Sequence, residues 1–148
     1  HPIPLGGPTK RTYADGPLIV GDAASQVKPT TGGGIVTGAF CSRVAGQTAI
    51  EAWKQKDYSG RFLSRYESRW RRALGKDFLL MTKVREYLNR LTDEKLDRLF
   101  VLAMKMGIMD DLSSLDDIDF QESNLLNMAK SPKAIANLVR FVLQAFNL

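Results

Sequence analysis

The sequence has very few residues of the kinds that build disulfides, metal centres or membrane spans. Its 148 residues include one cysteine, Cys41, and one histidine, His1. An internal disulfide is therefore excluded, a metal site is not expected, and Cys41 is predicted to be a buried packing residue in a reducing, cytoplasmic environment. No apolar run approaches the roughly 18–20 residues of a membrane span, and no signal-peptide pattern opens the chain.

The composition is that of a soluble globular protein, but its charges are unevenly distributed. Apolar residues make up 44% and charged residues 25% of a chain with a net charge of +5. From Lys54 to Arg90 eleven basic residues stand against four acids, a net +7, whereas Asp93 to Glu122 holds nine acids and three bases, a net −6. Nucleic acid, an anionic membrane surface or an adjacent helix of opposite charge could use this asymmetry. We expect five arginines to form a solvated face that pairs with the acidic block, and the alternative is that this face binds an anionic phospholipid surface. The five are Arg61, Arg65, Arg69, Arg71 and Arg72.

The first 56 residues are predicted to form a strand, a loop and a helix in that order. The run PLIV (17–20) is short, apolar and followed by Gly-Asp, a pattern typical of a buried strand. A glycine-rich loop follows, and then IVTGAFCSRVAGQTAIEAWKQK (35–56) is predicted to be a helix whose small residues allow a close neighbour. A lone buried strand needs neighbouring strands, so we expect further sequence before His1.

The rest of the chain is predicted to be helical. Phe62, Tyr66 and Trp70 recur at i, i+4 and i+8, which places them on one buried face of a helix over 58–74. A second helical segment is predicted over 76–90.

A third helix is predicted to begin after Thr92, which is a suitable N-cap, and a last helix begins at Ser131 with proline in its first turn. The fold class is therefore α+β and predominantly α-helical. Residues 1–56 are predicted to be the C-terminal part of a cofactor-binding domain and 57–148 a C-terminal helical domain. The inward stripe of the third helix is predicted to be Leu96, Leu99, Phe100, Ala103 and Met104.

The stretch GDAASQVKPTTGGGI (21–35) is the one that indicates a binding site. Three glycines directly before a helix let the loop amides and the first helix amides converge on one point, where they favour an electron-rich group. Asp22, at the predicted strand end, can accept hydrogen bonds from the hydroxyls of a sugar alcohol. The glycines are not followed by Lys and Ser/Thr, so this is not a phosphate P-loop. The simpler interpretation is a tight turn in which Asp22 acts as a cap.

This stretch resembles the second FAD fingerprint of the flavoprotein group that includes the aromatic hydroxylases. In that pattern a strand ends in Gly-Asp-Ala and Pro-x-x-Gly-x-Gly opens a helix, as in LIVGDAA (18–24) and PTTGGGI (29–35). Within the group, these segments together with DYSGRFLSRYESRWRRALGKDF (57–78) are most similar to the geranylgeranyl reductase family, over about residues 4–78. That family uses FAD to saturate double bonds of isoprenoid chains on lipids, notably archaeal membrane lipids.

The resemblance implies a role for each residue of the loop. Asp22 would hold the ribityl chain of FAD, and Pro29 would shape the loop beside the flavin ring. The pyrimidine edge of the flavin would lie along Gly32, Gly33, Gly34 and Ile35.

The first FAD fingerprint is absent, which implies the C-terminal portion of a longer isoprenoid-reducing enzyme. Alone, the chain is expected to bind FAD poorly, to catalyse nothing and to self-associate. The expected partners are an isoprenoid lipid substrate and a peripheral membrane surface, with no nucleic acid. The alternatives are an aromatic hydroxylase or electron-transfer dehydrogenase of the same flavoprotein group, or a non-enzymatic helical module that binds an anionic membrane or a protein.

Overall fold

The computed structural model describes residues 2–105. The chain divides into two compact units, His1–Glu86 and Tyr87–Leu148. A short 3-10 turn at Gly21–Ala24 precedes three helices, α1 (Ile35–Gln55), α2 (Gly60–Leu88) and α3 (Asp93–Lys105). This confirms a predominantly helical chain, and none of the helices within residues 2–105 is long and apolar enough to cross a membrane. The assignment of 1–56 and 57–148 to separate domains stays a prediction, and the helix expected from Ser131 lies outside the described residues.

The strand predicted over 17–20 is not formed, and this part of the prediction is wrong. Leu18 makes a single antiparallel bridge to Tyr13, and no strand exists anywhere between residues 2 and 105. Ile19 is 40% exposed, so the run is not buried either. A strand is defined by ladder pairing, and within the described residues this run finds one bridge partner rather than a neighbouring strand.

Helix α1 begins at Ile35 as predicted and ends at Gln55, one residue before the predicted end. Lys56 adopts a left-handed conformation with φ 52°, and its N–H bonds to helix carbonyls, which is the usual way a helix is closed. The inward face of α1 carries small and apolar side chains. These are Thr37, Cys41, Val44, Ala45, Thr48 and Ala52.

Helix α2 is one continuous helix, so the break predicted between 74 and 76 is wrong. Gly75 lies in its middle, and glycine within a helix costs only about 1 kcal/mol relative to alanine, which packing on both sides outweighs. The start of α2 is capped, because Ser59 Oγ accepts the N–H of Phe62 at 3.3 Å and Asp15 Oδ1 accepts the N–H of Gly60 at 2.6 Å.

The core of the first unit lies between α1 and α2. Tyr66 and Trp70 are completely buried and Phe62 nearly so, which confirms the predicted apolar stripe. Cys41 is also completely buried against them, as predicted for a packing residue. The Phe78 ring meets Trp70 edge to face, with ring centroids 6.2 Å apart.

A buried polar network joins the N-terminal segment to α2. Thr12 is fully buried, and its N–H and hydroxyl both donate to Glu67 Oε2, at 2.7 and 3.0 Å. The Trp70 indole N–H donates to the Thr12 hydroxyl at 3.1 Å. Arg71 pairs with Glu67 Oε1 at 3.1 Å and donates to the Thr9 carbonyl at 2.7 Å. A single hydroxyl therefore connects the segment to two residues of α2.

The arginines predicted to form one face are separated by the structure. Arg71 turns toward the N-terminal segment, and Arg69 pairs with Glu51 of α1 at 2.8 Å. Both guanidinium groups are therefore engaged by acids of the first unit, and pairing of the arginine face with the acidic block stays a prediction. Arg61, Arg65 and Arg72 remain exposed on the opposite side of α2.

In the second unit α3 begins at Asp93, directly after the predicted cap. A hydrogen bond from the Thr92 side chain lowers the pKa of the Glu94 carboxyl. Ala103 is buried, but Phe100 and Met104 are 59% and 68% exposed, so the predicted inward stripe is wrong at these two positions. Helical periodicity identifies an apolar face but not how much of its width is covered.

Candidate cofactor-binding site

The loop at 21–34 is built from two small rings closed by hydrogen bonds. In the first, the Gln26 N–H donates to the Gly21 carbonyl at 3.0 Å, and the Gln26 side-chain oxygen accepts the Gly21 N–H at 2.9 Å. In the second, the Lys28 N–H donates to the Gly33 carbonyl and the Gly32 N–H to the Lys28 carbonyl, both at 2.9 Å. The loop therefore has a defined shape without belonging to a helix or a sheet.

A buried tyrosine of α2 holds the first ring in place. The Gln26 side-chain amide donates to the Tyr66 hydroxyl at 3.0 Å, and that hydroxyl donates to the Ile19 carbonyl at 3.0 Å. Burial raises the pKa of Tyr66 to about 12, so the phenol stays neutral and keeps its donor at physiological pH. Sequence analysis placed Tyr66 in the core without this second role.

Two further contacts fix the glycine end of the loop. Thr37, in the first turn of α1, donates to the Gln26 carbonyl at 2.7 Å. Arg85, near the far end of α2, donates to the Pro29 carbonyl at 3.0 Å. Neither residue was identified from the sequence, because a side chain that bonds a backbone carbonyl 56 positions away leaves no local pattern.

The structure brings the predicted site residues together, with different exposures. A Cβ placed on Gly34 would lie 3.2 Å from Asp22 Oδ1 and 3.2 Å from Val27 Cγ2, so the carboxylate sits against the start of α1. Gly32 has φ +76°, a left-handed conformation that favours glycine. Pro29 is buried and supports the loop from beneath. The exposed members are Asp22, Gly33 and Ile35.

The Asp22 carboxylate is available to a ligand. It is exposed and has no hydrogen-bond partner among the described residues, so it does not cap a helix as the simpler interpretation required. The N-cap of α1 is Gly34, which has no capping side chain, and the first helical hydrogen bond comes from the Gly38 N–H. The preceding amides have no carbonyl partner within the helix and mark its positive end.

The arrangement fits the polyol and the electron-rich ring edge of a flavin cofactor. It offers an open carboxylate acceptor, side-chain-free glycine backbone and an uncapped helix start within one short surface. No group of three or more His, Cys, Asp or Glu residues able to hold a metal exists within residues 2–105. A carboxylate acceptor beside free backbone amides can bind an organic ligand that carries hydroxyls and a hydrogen-bonding ring.

No protein-family model matches the chain, but curated proteins do. It is 44% identical over 141 residues to digeranylgeranylglycerophospholipid reductase 2 of Methanothermobacter thermautotrophicus, covering 95% of this chain and 34% of that protein. It is 37% identical over 132 residues to digeranylgeranylglycerophospholipid reductase of Methanocaldococcus jannaschii, covering 89% of this chain and 32% of that protein. The chain thus spans about a third of the length of these relatives.

A solved structure has a similar backbone. The crystal structure of a geranylgeranyl bacteriochlorophyll reductase-like protein from Thermoplasma acidophilum matches with a TM-score of 0.66 and 27% identity. The match covers 94% of this chain and 33% of that one. The backbone similarity therefore extends over nearly the same share of the chain as the similarity to the Methanothermobacter protein.

Proposed function

Because the chain belongs to the geranylgeranyl reductase family, we propose that it is the C-terminal part of an FAD-dependent oxidoreductase. The enzyme would reduce geranylgeranyl double bonds in membrane lipid biosynthesis. The observation that carries the proposal is the open Asp22 carboxylate held against Gly34 at the uncapped start of α1. The names of the relatives support the substrate class.

The loop residues would bind and orient the cofactor. Asp22 would accept hydrogen bonds from the ribityl hydroxyls, and Pro29 would shape the loop beside the ring. The pyrimidine edge would lie along the backbone of Gly32, Gly33, Gly34 and Ile35, where the absence of side chains on the glycines permits contact. When bound, FAD supplies the redox chemistry of double-bond reduction.

The start of α1 would favour the reduced form of the cofactor. A helix N-terminus stabilises negative charge nearby by roughly 0.3–1 kcal/mol. For a two-electron couple this raises the reduction potential by about 6–20 mV. The protein's contribution at this point is thus a small adjustment of potential, with positioning as the larger part.

The remaining assignments concern the whole protein. Residues 1–56 would be the C-terminal part of an FAD-binding domain, and residues 57–148 would form a helical domain. This chain alone would not retain FAD and would self-associate through its exposed apolar side chains. We propose a cytoplasmic enzyme that meets the membrane peripherally, because its isoprenoid substrate is held there.

The test is flavin binding by the full-length protein that carries this sequence. Asp22→Asn removes the acceptor charge and should weaken FAD binding about tenfold or more, measured by flavin fluorescence on titration. The matched control is Asp97→Asn, an exposed aspartate on α3 that makes no described contact. Equal FAD affinity in the two variants would remove Asp22 from the site, and the absence of any FAD binding would overturn the proposed function.

A further inference from the structure

One exposed row of basic side chains on α2 is not used by the cofactor site. Arg61, Arg65, Arg72 and Lys76 are all exposed and follow each other at spacings of four, seven and four residues. These spacings place them on one face of the helix, along about 22 Å. We call these four residues the basic row.

The acids of α2 do not neutralise this row. Glu67 turns toward Thr12 and Arg71, and one carboxylate oxygen of Asp77 is buried. Glu86 pairs with Lys83 at 2.8 Å, beyond the end of the row. Four of the eleven basic residues between 54 and 90 are therefore displayed together on one exposed face of the helix.

The acids near the start of the row are already engaged. Asp57 lies near Arg61 and Arg65, and its carboxylate accepts the N–H of Ser59 at 3.0 Å. Glu51 is taken by Arg69 at 2.8 Å. Arg65 stacks over the Phe62 ring, with its guanidinium carbon 4.2 Å from the ring centroid, which keeps the cation at the surface.

An apolar side chain continues the same face. Leu79 follows Lys76 by three residues, which keeps it on the side of the row, and it is 62% exposed. A straight helix that displays cations along one line and ends in an exposed leucine suits a flat, negatively charged surface with an apolar interior. Nucleic acid would match the charge but offers Leu79 no apolar contact.

We infer that the basic row with Leu79 is the surface by which the protein docks on an anionic lipid bilayer. The choice of a bilayer rests on the proposed function, since an enzyme that acts on lipid-borne isoprenoid chains must approach a membrane. The row lies on the side of α2 opposite Tyr66 and Glu67. Tyr66 holds the loop 21–34, which we call the cofactor loop, and Glu67 holds the N-terminal segment. Docking through the row therefore leaves both contacts undisturbed.

The experiment measures binding of the full-length protein to lipid vesicles by flotation. The variant Arg65→Gln/Arg72→Gln removes two charges from the row. The control Lys10→Gln/Arg43→Gln removes two exposed charges from elsewhere in the same unit. Vesicles of phosphatidylglycerol with phosphatidylcholine serve as the anionic surface, and pure phosphatidylcholine as the neutral one.

The row variant should bind anionic vesicles about 30-fold more weakly than the wild type, and the control variant should bind nearly normally. Wild-type binding should fall with added salt and should be weak on neutral vesicles. The inference is overturned by equal losses in the two variants, by equal binding to neutral vesicles, or by tighter binding to duplex DNA than to anionic vesicles at the same salt.

Flavin titration of the same samples separates the two proposals. The row variant should keep its FAD affinity, which also verifies that it is folded. Vesicle binding through the row in a protein without flavin would leave this surface standing and reject the proposed function. Flavin binding without vesicle binding would support the proposed function and reject this docking surface.

Discussion

Two segments outside the α-helices, 9–19 and 21–34, are both held against α2 by buried hydrogen bonds, yet they leave different groups exposed. In the first segment Thr12 itself is buried, between Trp70 and Glu67. In the second a buried run includes Gln26, which is bound to Tyr66, while Asp22 stays open to solvent. The comparison teaches that a buried hydrogen bond to α2 can simply attach a segment, or can also hold a neighbouring side chain exposed to solvent.

The difference follows from where the apolar residues stand in each segment. Segment 9–19 contributes Tyr13 and Leu18 to the edge of the core, and Thr12 is its one buried residue while most of the others are exposed. Segment 21–34 buries Ala24 and the run from Gln26 to Pro29, and its open part consists of Asp22 and the glycine end. In that open part glycine is the residue that allows a ligand to approach the backbone.

The change expected to break both anchors at once is Trp70→Ala. Trp70 is completely buried between the two helices and donates to Thr12, so its loss leaves a cavity and removes one hydrogen bond to the Thr12 hydroxyl. We expect a loss of about 3–5 kcal/mol in the free energy of unfolding, measured by urea denaturation. Trp70→Phe should recover most of it, and an Ala variant as stable as the Phe variant would contradict the assigned packing.

A matched pair of substitutions tests whether segments 9–19 and 21–34 differ in their effect on FAD binding. Thr12→Val and Tyr66→Phe each remove one buried hydroxyl and leave partners unsatisfied, so each should cost roughly 1–3 kcal/mol of unfolding free energy. FAD affinity of the full-length protein should fall only with Tyr66→Phe, because only Tyr66 holds the cofactor loop through Gln26. Equal effects on FAD affinity would show that the two segments are not distinct in role.

Alkaline pH should weaken the core that both segments share. Burial raises the pKa of Cys41 from 9.0 to about 12, and that of Tyr66 from 10.0 to about 12. Both groups are neutral when protonated, and burial favours the neutral form. Their contribution to the free energy of unfolding is therefore complete below about pH 9 and is lost as the pH rises from 9 to 12. At pH 8 the thiolate fraction of Cys41 should be roughly a thousandfold lower in the folded than in the unfolded protein. Labelling of Cys41 by iodoacetamide should therefore require urea, and rapid labelling of the native protein would contradict this.

The smallest effects are expected from two alanine substitutions, one within α1 and one at its N-cap. A Cβ at Gly34 meets Asp22 and Val27, whereas a Cβ at Gly46 meets nothing within 4 Å. Gly46→Ala should stabilise the protein by about 0.5–1 kcal/mol and leave FAD binding unchanged. Gly34→Ala should shift the Asp22 carboxylate by a few tenths of an ångström and weaken FAD binding with little change in melting temperature. A reversed pattern would place the ligand elsewhere.

The parts of this structure that follow from local chemistry were predictable from the sequence. The start of α1 at Ile35 follows from the glycines before it, and the burial of Tyr66 and Trp70 follows from helical periodicity. The strand at 17–20 failed because strand formation depends on partners that the run itself does not specify.

The contacts that shape the candidate site could not be predicted in the same way. Gln26 and Tyr66 are 40 positions apart, and Arg85 and the Pro29 carbonyl are 56 apart. No local pattern distinguishes an arginine that will reach a distant carbonyl from one that stays in solvent. The fingerprint therefore identified the residues that we propose to face the ligand, but not those that hold these residues in place.

The buried Thr12 has a consequence for how the protein is made on the ribosome. Its partners Glu67 and Trp70 are synthesised 55 and 58 residues later. At translation rates of 5–20 residues per second, this is a delay of roughly 3–12 s. Segment 9–19 therefore leaves the ribosome before its docking site exists and must wait unpaired until α2 has formed. Segment 9–19 is thus made before the helix to which it binds.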